Sequence, residues 1–287
     1  MTELIIAGIR RGNQFSPNHI GNDAAIFSLT AKHLRNAGCL VNEYIESDLQ
    51  LKKPEERFIF NMVRDWRSIH ALQQLEADGH LVINSGHGIE NCTREKMTRL
   101  LTENAISHPE SLILPTDEDP AQHLEEAGLY NCWIKRGDFH AIHREDVTYV
   151  RNPEEAHGIL REYAIRGIQT AVINEHLVGD LIKFYGVAGT DFFYWFYPSK
   201  IHHSKFGWEQ INGTAKGIPF EENKLAALCT KAAEVLNIQI YGGDCIVSED
   251  GSIRLIDFND WPSFAPCREE ASHHIAKRIL NLVKETV

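Results

Sequence analysis

Near the C-terminus, the stretch Gly242-Gly-Asp244-Cys-Ile-Val-Ser-Glu249-Asp250-Gly251-Ser252-Ile-Arg-Leu-Ile-Asp257-Phe-Asn259-Asp260 carries oxygen-bearing side chains on two β-prone runs. Asp250-Gly251 between such runs is a hairpin signal. With those two residues as the turn, Glu249 faces Ser252, and counting outward sets Asp244 opposite Asp257. Asn259 lies two residues further on and shares the face of Asp257, because strand side chains alternate. Two carboxylates facing each other across a ladder, with Cβ atoms about 5 Å apart, repel one another. A hard divalent cation held by Asp244, Asp257 and Asn259 would offset that cost, and magnesium commonly binds through one or two carboxylates plus substrate phosphates. The other reading is a solvated acidic hairpin. Ile246, Leu255 and Phe258 between the polar residues point to a partly buried sheet, where unpaired acids are costly, so the metal reading is favoured.

Cationic side chains follow a similar logic. Cys132-Trp-Ile-Lys135-Arg136-Gly137-Asp138 sets a lysine at a strand end before a glycine turn, where it reaches phosphate oxygens or else solvent. Thr170-Ala-Val-Ile-Asn174-Glu175-His176-Leu177-Val-Gly179-Asp180-Leu-Ile-Lys183-Phe-Tyr185 reads as strand, short turn, strand. Lys183 and Tyr185 share one face, and backbone groups around Glu175 to Leu177 suit the edge of an adenine. Tyr197-Pro-Ser-Lys200-Ile-His202-His203-Ser-Lys205, with Lys216 and Arg268, is either a polyanion pocket or a solvated loop. His140, near the Lys135 loop, is the one scattered histidine placed near substrate. Phe192-Phe-Tyr-Trp-Phe-Tyr197 reads as a strand buried on both faces rather than a base-stacking platform.

These residues need a scaffold. Leu4 to Ile9 is a short apolar run, Ile26, Leu29, His33 and Ala37 mark a helix face ended by Gly38, and Cys39-Leu-Val41 resumes a strand: a βαβ opening. Phe58, Met62, Trp66, Ile69, Leu72 and Leu75, at steps of three and four, predict a second helix, and His80 to Asn84 another strand. Thr93 can cap a helix through Met97 and Leu101, and Asn152-Pro153-Glu-Glu155 starts another with a capping side chain, a first-turn proline and acids at the positive dipole end. The expected division is an α/β domain over 1–92, a central lobe over 93–170 and a C-terminal lobe over 171–287.

Composition narrows the class. The chain has 287 residues, 43% hydrophobic and 24% charged, enough for a sizeable core. A net charge of −11 disfavours nucleic acid as the main partner. The six cysteines form no CxxC pair, which suggests buried reduced thiols. Without an apolar run of membrane-spanning length, the expectation is a soluble cytoplasmic protein acting on a small molecule or peptide, without nucleic acid or membrane as partner.

Taken in order, Lys96 on a helix, Lys135 on a strand, the Asn174-Glu175-His176-Leu177 hinge, Lys183 and the Asp244…Asp257-x-Asn259 hairpin resemble the ATP-grasp superfamily along nearly the whole chain. Leu75 to Ser85 followed by Arg94 to Leu101 looks like the start of the glutathione-synthetase-type ligase fold. Ile256-Asp257-Phe-Asn259-Asp-Trp-Pro262 looks like its closing metal motif, and is also similar to that of inositol 1,3,4-trisphosphate 5/6-kinases. The resemblance implies a three-lobed α/β (α+β) ATP-grasp fold with ATP between the central and C-terminal lobes. It implies phosphate contacts from Lys96, Lys135 and Lys183, adenine contacts from Asn174, Glu175, His176 and Leu177, and ribose contacts from Asp180. Asp244, Asp257 and Asn259 would hold two magnesium ions on the β- and γ-phosphates. The implied activity is carboxylate–amine ligation through an acylphosphate, with Lys183, Lys200 and Arg268 as catalytic candidates. The alternatives are a kinase of an alcohol such as an inositol phosphate, and a nucleotide-binding module without turnover.

Overall fold

The computed structural model describes residues 3–15, 20–139, 144–198, 211 and 213–286. Its N-terminal sheet is parallel, in the order β2-β1-β3-β4, from β1 (Leu4–Arg10), β2 (Cys39–Ile45), β3 (Phe58–Asn61) and β4 (Leu81–Ile83). Helices α1 (Ile20–Asn36) and α2 (Trp66–Ala77) make the crossovers. The helix expected to start at Phe58 starts at Trp66 instead. Phe58 to Asn61 are all buried, as suits an inner strand of a parallel sheet. Asp65 supplies the cap that the periodicity obscured, its side chain accepting from the N–H groups of Arg67 and Ser68 at 2.9 and 3.2 Å. The buried stripe of α1 runs through Asp23, Ile26, Phe27, Thr30, Ala31 and Leu34 rather than through Leu29 and His33.

Short helices α3 (Gly86–Asn91) and α4 (Arg94–Glu103) lead to an antiparallel sheet ordered β5-β8-β6-β7. It contains β5 (Ser111–Pro115), β6 (Cys132–Arg136), β7 (Val147–Val150) and β8 (Thr170–Glu175). Helices α5 (Ala121–Ala127) and α6 (Pro153–Ile165) pack on it through Leu124, Ala156, Leu160 and Tyr163. Asn152 caps α6 as its sequence requires, accepting from Glu155 N at 2.8 Å. Because β8 is an inner strand of this sheet, the boundary drawn at residue 170 moves to the far side of β8.

The third sheet is ordered β10-β9-β11-β12, from β9 (Asp180–Val187), β10 (Phe193–Phe196), β11 (Ile240–Val247) and β12 (Ile253–Asp260). One face, with Ile182, Phe184, Cys245 and Phe258, packs under α7 (Glu222–Leu236) and α4. The other, with Tyr185, Val187 and Ile240, joins α8 (Arg268–Thr286), α1 and Phe60 of the N-terminal sheet. The aromatic run serves both faces, as expected: Phe192 and Phe196 belong to the second core, and Phe193, Trp195 and Tyr197 to the first. All six cysteines are free and buried, and among the described residues no helix is long and apolar enough to cross a membrane.

Candidate functional site

Asp244 lies opposite Asp257, and Gly242 opposite Asn259, as the hairpin count requires. The route differs. The turn has three residues, not two: Ser248 N donates to Ser252 O at 2.9 Å and Gly251 N to Ser248 O at 2.8 Å, with Gly251 at φ +78°. A left-handed last residue is what such a loop demands, and glycine takes it without strain. That turn shifts the pairing by one, so Cys245 faces Leu255. A bulge between Asp244 and Cys245, with Ile256 as the extra residue, shifts it back. The two offsets cancel.

On the other side of β11, Lys183 of β9 lies opposite Asp244, so Lys183, Asp244 and Asp257 form one row across three strands. Lys183 Nζ donates to Asp244 Oδ1 and Oδ2 at 2.9 and 3.1 Å. Arg94 Nη2 stands 3.7 Å from Asp257 Oδ2. The repulsion that would have demanded a metal is therefore already offset by two protein cations. This corrects the sequence argument, because the carboxylates can sit together before any ion arrives. From the central lobe, Lys135 Nζ donates to Ile256 O at 2.9 Å, one residue before Asp257. Burial pushes the Lys135 ammonium down to about 8, against the attraction of Asp257 and Asp244.

Arg94 was not singled out by sequence, and Lys96 was. Two residues along a helix turn the side chain by about 200°. Lys96 accordingly points out to Glu90 Oε1 at 2.6 Å, its side chain 48% exposed, away from the row. Arg94, 5% exposed, shares the buried stripe of α4 with Met97, Thr98 and Leu101, and that i, i+3, i+4, i+7 pattern was available in the sequence. Arg94 Nη1 donates to Phe139 O at 3.3 Å, and Glu95 N to Gly137 O at 3.0 Å, so the Lys135 turn is stitched to the first turn of α4. Gly137 is required there: a Cβ would lie 2.8 Å from Thr170 O.

The hinge is arranged differently from its sequence reading. Glu175 N donates to Glu110 O and His176 N to Asn131 O, at 2.8 and 3.2 Å, so these two N–H groups serve the fold rather than an incoming base edge. Asn174 Nδ2 donates to Ser111 Oγ at 2.8 Å, and Leu177 is buried. His176 Nδ1 accepts from Trp133 Nε1 at 3.1 Å, and burial lowers its pKa. Glu175 Oε2 accepts from Arg254 Nη1 at 3.0 Å and so ties the hinge to β12. Asp180 is 2% exposed, and its two oxygens accept from Lys216 N and Ile218 N, both at 2.7 Å. It anchors that loop instead of facing a ribose. Arg268 Nη2 donates to Asn22 Oδ1 at 2.7 Å, joining α8 to α1, and Lys216 Nζ pairs with Glu249 at 3.2 Å on the surface. Lys200, His140, His202, His203 and Lys205 lie outside the described residues.

The donor set suits magnesium. Asp244 and Asp257, with side chains 23% and 21% exposed, and the Asn259 amide are hard oxygen donors, and each carboxylate accepts several partners at once. Gly242, opposite Asn259, leaves its space to the Tyr185 ring, from which a Cβ there would lie 2.6 Å. Among the described residues, no three His, Cys, Asp or Glu side chains form a metal cluster, so an ion here would depend on the amide and on oxygens of its ligand.

The geometry has parallels among solved structures. D-alanine–D-alanine ligase from Bacillus anthracis, complexed with ATP, superposes with a TM-score of 0.70 over 100% of both chains at 14% identity. VanG D-Ala:D-Ser ligase from Enterococcus faecalis gives 0.71 over 98% of this chain and 99% of that one, at 13% identity. The ATP-grasp ligase PsnB, complexed with a minimal precursor, gives 0.60 at 15% identity over 98% and 99% of the two chains. The chain has the ATP-grasp fold. No family model matches its sequence, and no curated protein matches it. At these identities the likeness lies in chain path.

Proposed function

We propose that the protein is an ATP- and magnesium-dependent carboxylate–amine ligase that acts on a small molecule or peptide through an acylphosphate. The observation that carries this reading is the Lys183–Asp244–Asp257 row facing Lys135 and Arg94 across the two lobes. Among the described residues, three cations stand against two carboxylates in this cluster, an excess of positive charge that suits a polyphosphate arriving with its metal. In this reading Lys135, Arg94 and Lys183 take phosphoryl oxygens, and Asp244, Asp257 and Asn259 hold the magnesium ions. Magnesium, when bound, draws negative charge off the phosphoryl group in transfer. Asn174, Glu175, His176 and Leu177 border the adenine. Lys183, Lys200 and Arg268 stay as candidates on the reacting side. Six buried thiols fit a cytoplasmic setting.

The protein's work is alignment and charge neutralisation. A substrate carboxylate oxygen attacks the γ-phosphorus, the new O–P bond forms, and ADP leaves with the old one. An amine then attacks the acyl carbon, phosphate leaves with the bridging oxygen, and the proton lost from nitrogen leaves with the phosphate. The D-Ala-D-Ala and D-Ala:D-Ser ligases that share the fold support this class over phosphorylation of an alcohol.

The test is a substrate screen with amino acids, small peptides and inositol phosphates that quantifies ADP and free phosphate together. A ligase releases both only when carboxylate and amine are present, and hydroxylamine traps its acyl group. ADP with a phosphorylated alcohol and no free phosphate would make it a kinase. Magnesium-dependent ATP affinity without any product would make it a binding module.

A further inference from the structure

Arg11 and Arg64, both from the N-terminal domain, converge on the end of β12. Arg64 Nη2 lies 3.2 Å from Asp260 Oδ1 and donates to Asp260 O at 3.2 Å. Arg11 Nη2 donates to Trp261 O at 3.0 Å and lies 3.9 Å from Asp260 Oδ2, while its Nη1 donates to Asp23 Oδ2 at 3.0 Å. Side-chain exposures are 6% for Arg11, 12% for Arg64 and 1% for Asp260. The loops bearing the two arginines are held in turn by one buried carboxylate, Glu46, which accepts from Gly12 N at 2.6 Å and from the N–H groups of Arg64 and Asp65. At the partner strand, the Asn84 amide donates to Ile240 O at 2.8 Å and accepts from Gln239 N and Ile240 N at 3.0 and 2.9 Å. The N-terminal domain thus grips the open end of the β11–β12 hairpin on both strands.

Buried ion pairs of this kind add little net stability, because desolvation consumes the attraction, but removing one partner leaves an uncompensated buried charge and is costly. Asp260 follows Asn259 directly, and the carbonyls held are those of residues 260 and 261. We propose that Asp260 is a positioning residue: Arg11 and Arg64, locked by Glu46, use its carboxylate and the two adjacent carbonyls to set the backbone at Asn259 and so the magnesium ligands. The inference rests on the magnesium–ATP reading of Asp244, Asp257 and Asn259, and assigns the N-terminal domain a part in metal binding.

The experiment is calorimetric titration of the full chain with ATP, with and without magnesium, alongside thermal unfolding. Asp260→Asn is expected to weaken magnesium–ATP at least tenfold while metal-free ATP binding changes less than threefold. Because that variant leaves buried arginine charge uncompensated, the double variant Asp260→Asn with Arg64→Met, which removes one charge of each sign, is measured beside it. The same loss is expected there with the fold retained. An unchanged ratio of metal-free to magnesium–ATP affinity, whatever happens to the melting temperature, overturns the positioning role. A wild-type protein whose ATP affinity ignores magnesium would instead remove the underlying reading, so the two failures are distinct.

Discussion

Lys135→Met should stabilise the protein and cripple its nucleotide binding together. The ammonium's pKa falls from 10.5 to about 8 in the fold. At neutral pH, holding it charged then costs about 3 kcal/mol, at roughly 1.4 kcal/mol per pH unit. Methionine removes that cost but orphans Ile256 O, which loses its 2.9 Å donor, a penalty of about 1 kcal/mol. The variant should therefore gain about 2 kcal/mol at pH 7. The sign of the pH dependence follows from the depressed pKa. Between about 8 and 10.5 the unfolded lysine binds more protons than the folded one, so wild-type stability rises with pH across that window and the cost is fully present below it. The gain in Lys135→Met should shrink to about zero near pH 9.5. Thermal unfolding of both proteins from pH 6.5 to 9.5 measures this, and titration with magnesium–ATP should show affinity at least tenfold lower in the variant at pH 7. Equal melting temperatures at pH 7, or a difference indifferent to pH, would refute the burial argument. Unchanged nucleotide affinity would refute the phosphate role.

Asp257→Asn keeps shape and removes charge, so ATP turnover should be lost while thermal unfolding stays cooperative; near-normal turnover in a product assay would remove Asp257 from the metal set. Arg94→Ala should weaken ATP binding tenfold or more, whereas Lys96→Ala should leave it within twofold, and calorimetry that reverses this order would restore Lys96. In the wild-type protein, ATP affinity should fall by up to tenfold per unit as pH rises above about 8, because binding then requires Lys135 to take up a proton; a flat affinity from pH 7 to 9 would exclude that coupling.

The parts of this molecule legible in the sequence are those decided by neighbours along the chain. The cap at Asn152, the βαβ opening and the two-faced aromatic strand all rest on patterns a few residues long. Phe58 shows the limit. Its spacing to Met62 and Trp66 fits a helix, yet burial on every side of Phe58-Ile-Phe-Asn61 makes it a strand, and that burial belongs to the whole sheet. The facing of Asp244 and Asp257 emerged from a count with two unseen irregularities, a longer turn and a bulge, that happen to be equal and opposite. What stayed hidden was partnership over long separations. Lys183 with Asp244, Arg254 with Glu175 and Arg64 with Asp260 join residues 61, 79 and 196 positions apart. No local spacing encodes those pairs, and they decide which carboxylate each lysine or arginine holds.

β12, which carries Asp257 and Asn259, is the edge strand of its sheet, and an open edge normally invites pairing with another chain. Here the central lobe covers it. Leu255 N donates to Ser107 O at 2.9 Å, Ser107 Oγ donates to Ile253 O at 2.7 Å, and Lys135 Nζ and Glu175 add their bonds at Ile256 and Arg254. The strand that carries the proposed metal ligands is therefore the seam between the lobes. Any movement of the central lobe away from the C-terminal sheet must break these four contacts, and two of them use the side chains proposed to hold phosphate and to border adenine. A nucleotide that recruits Lys135 competes directly with the seam, so its arrival should loosen the hold on β12 at the residue next to Asp257. On the proposed reading, the lobes and the metal ligands should respond to ATP as one unit, because a single strand serves both.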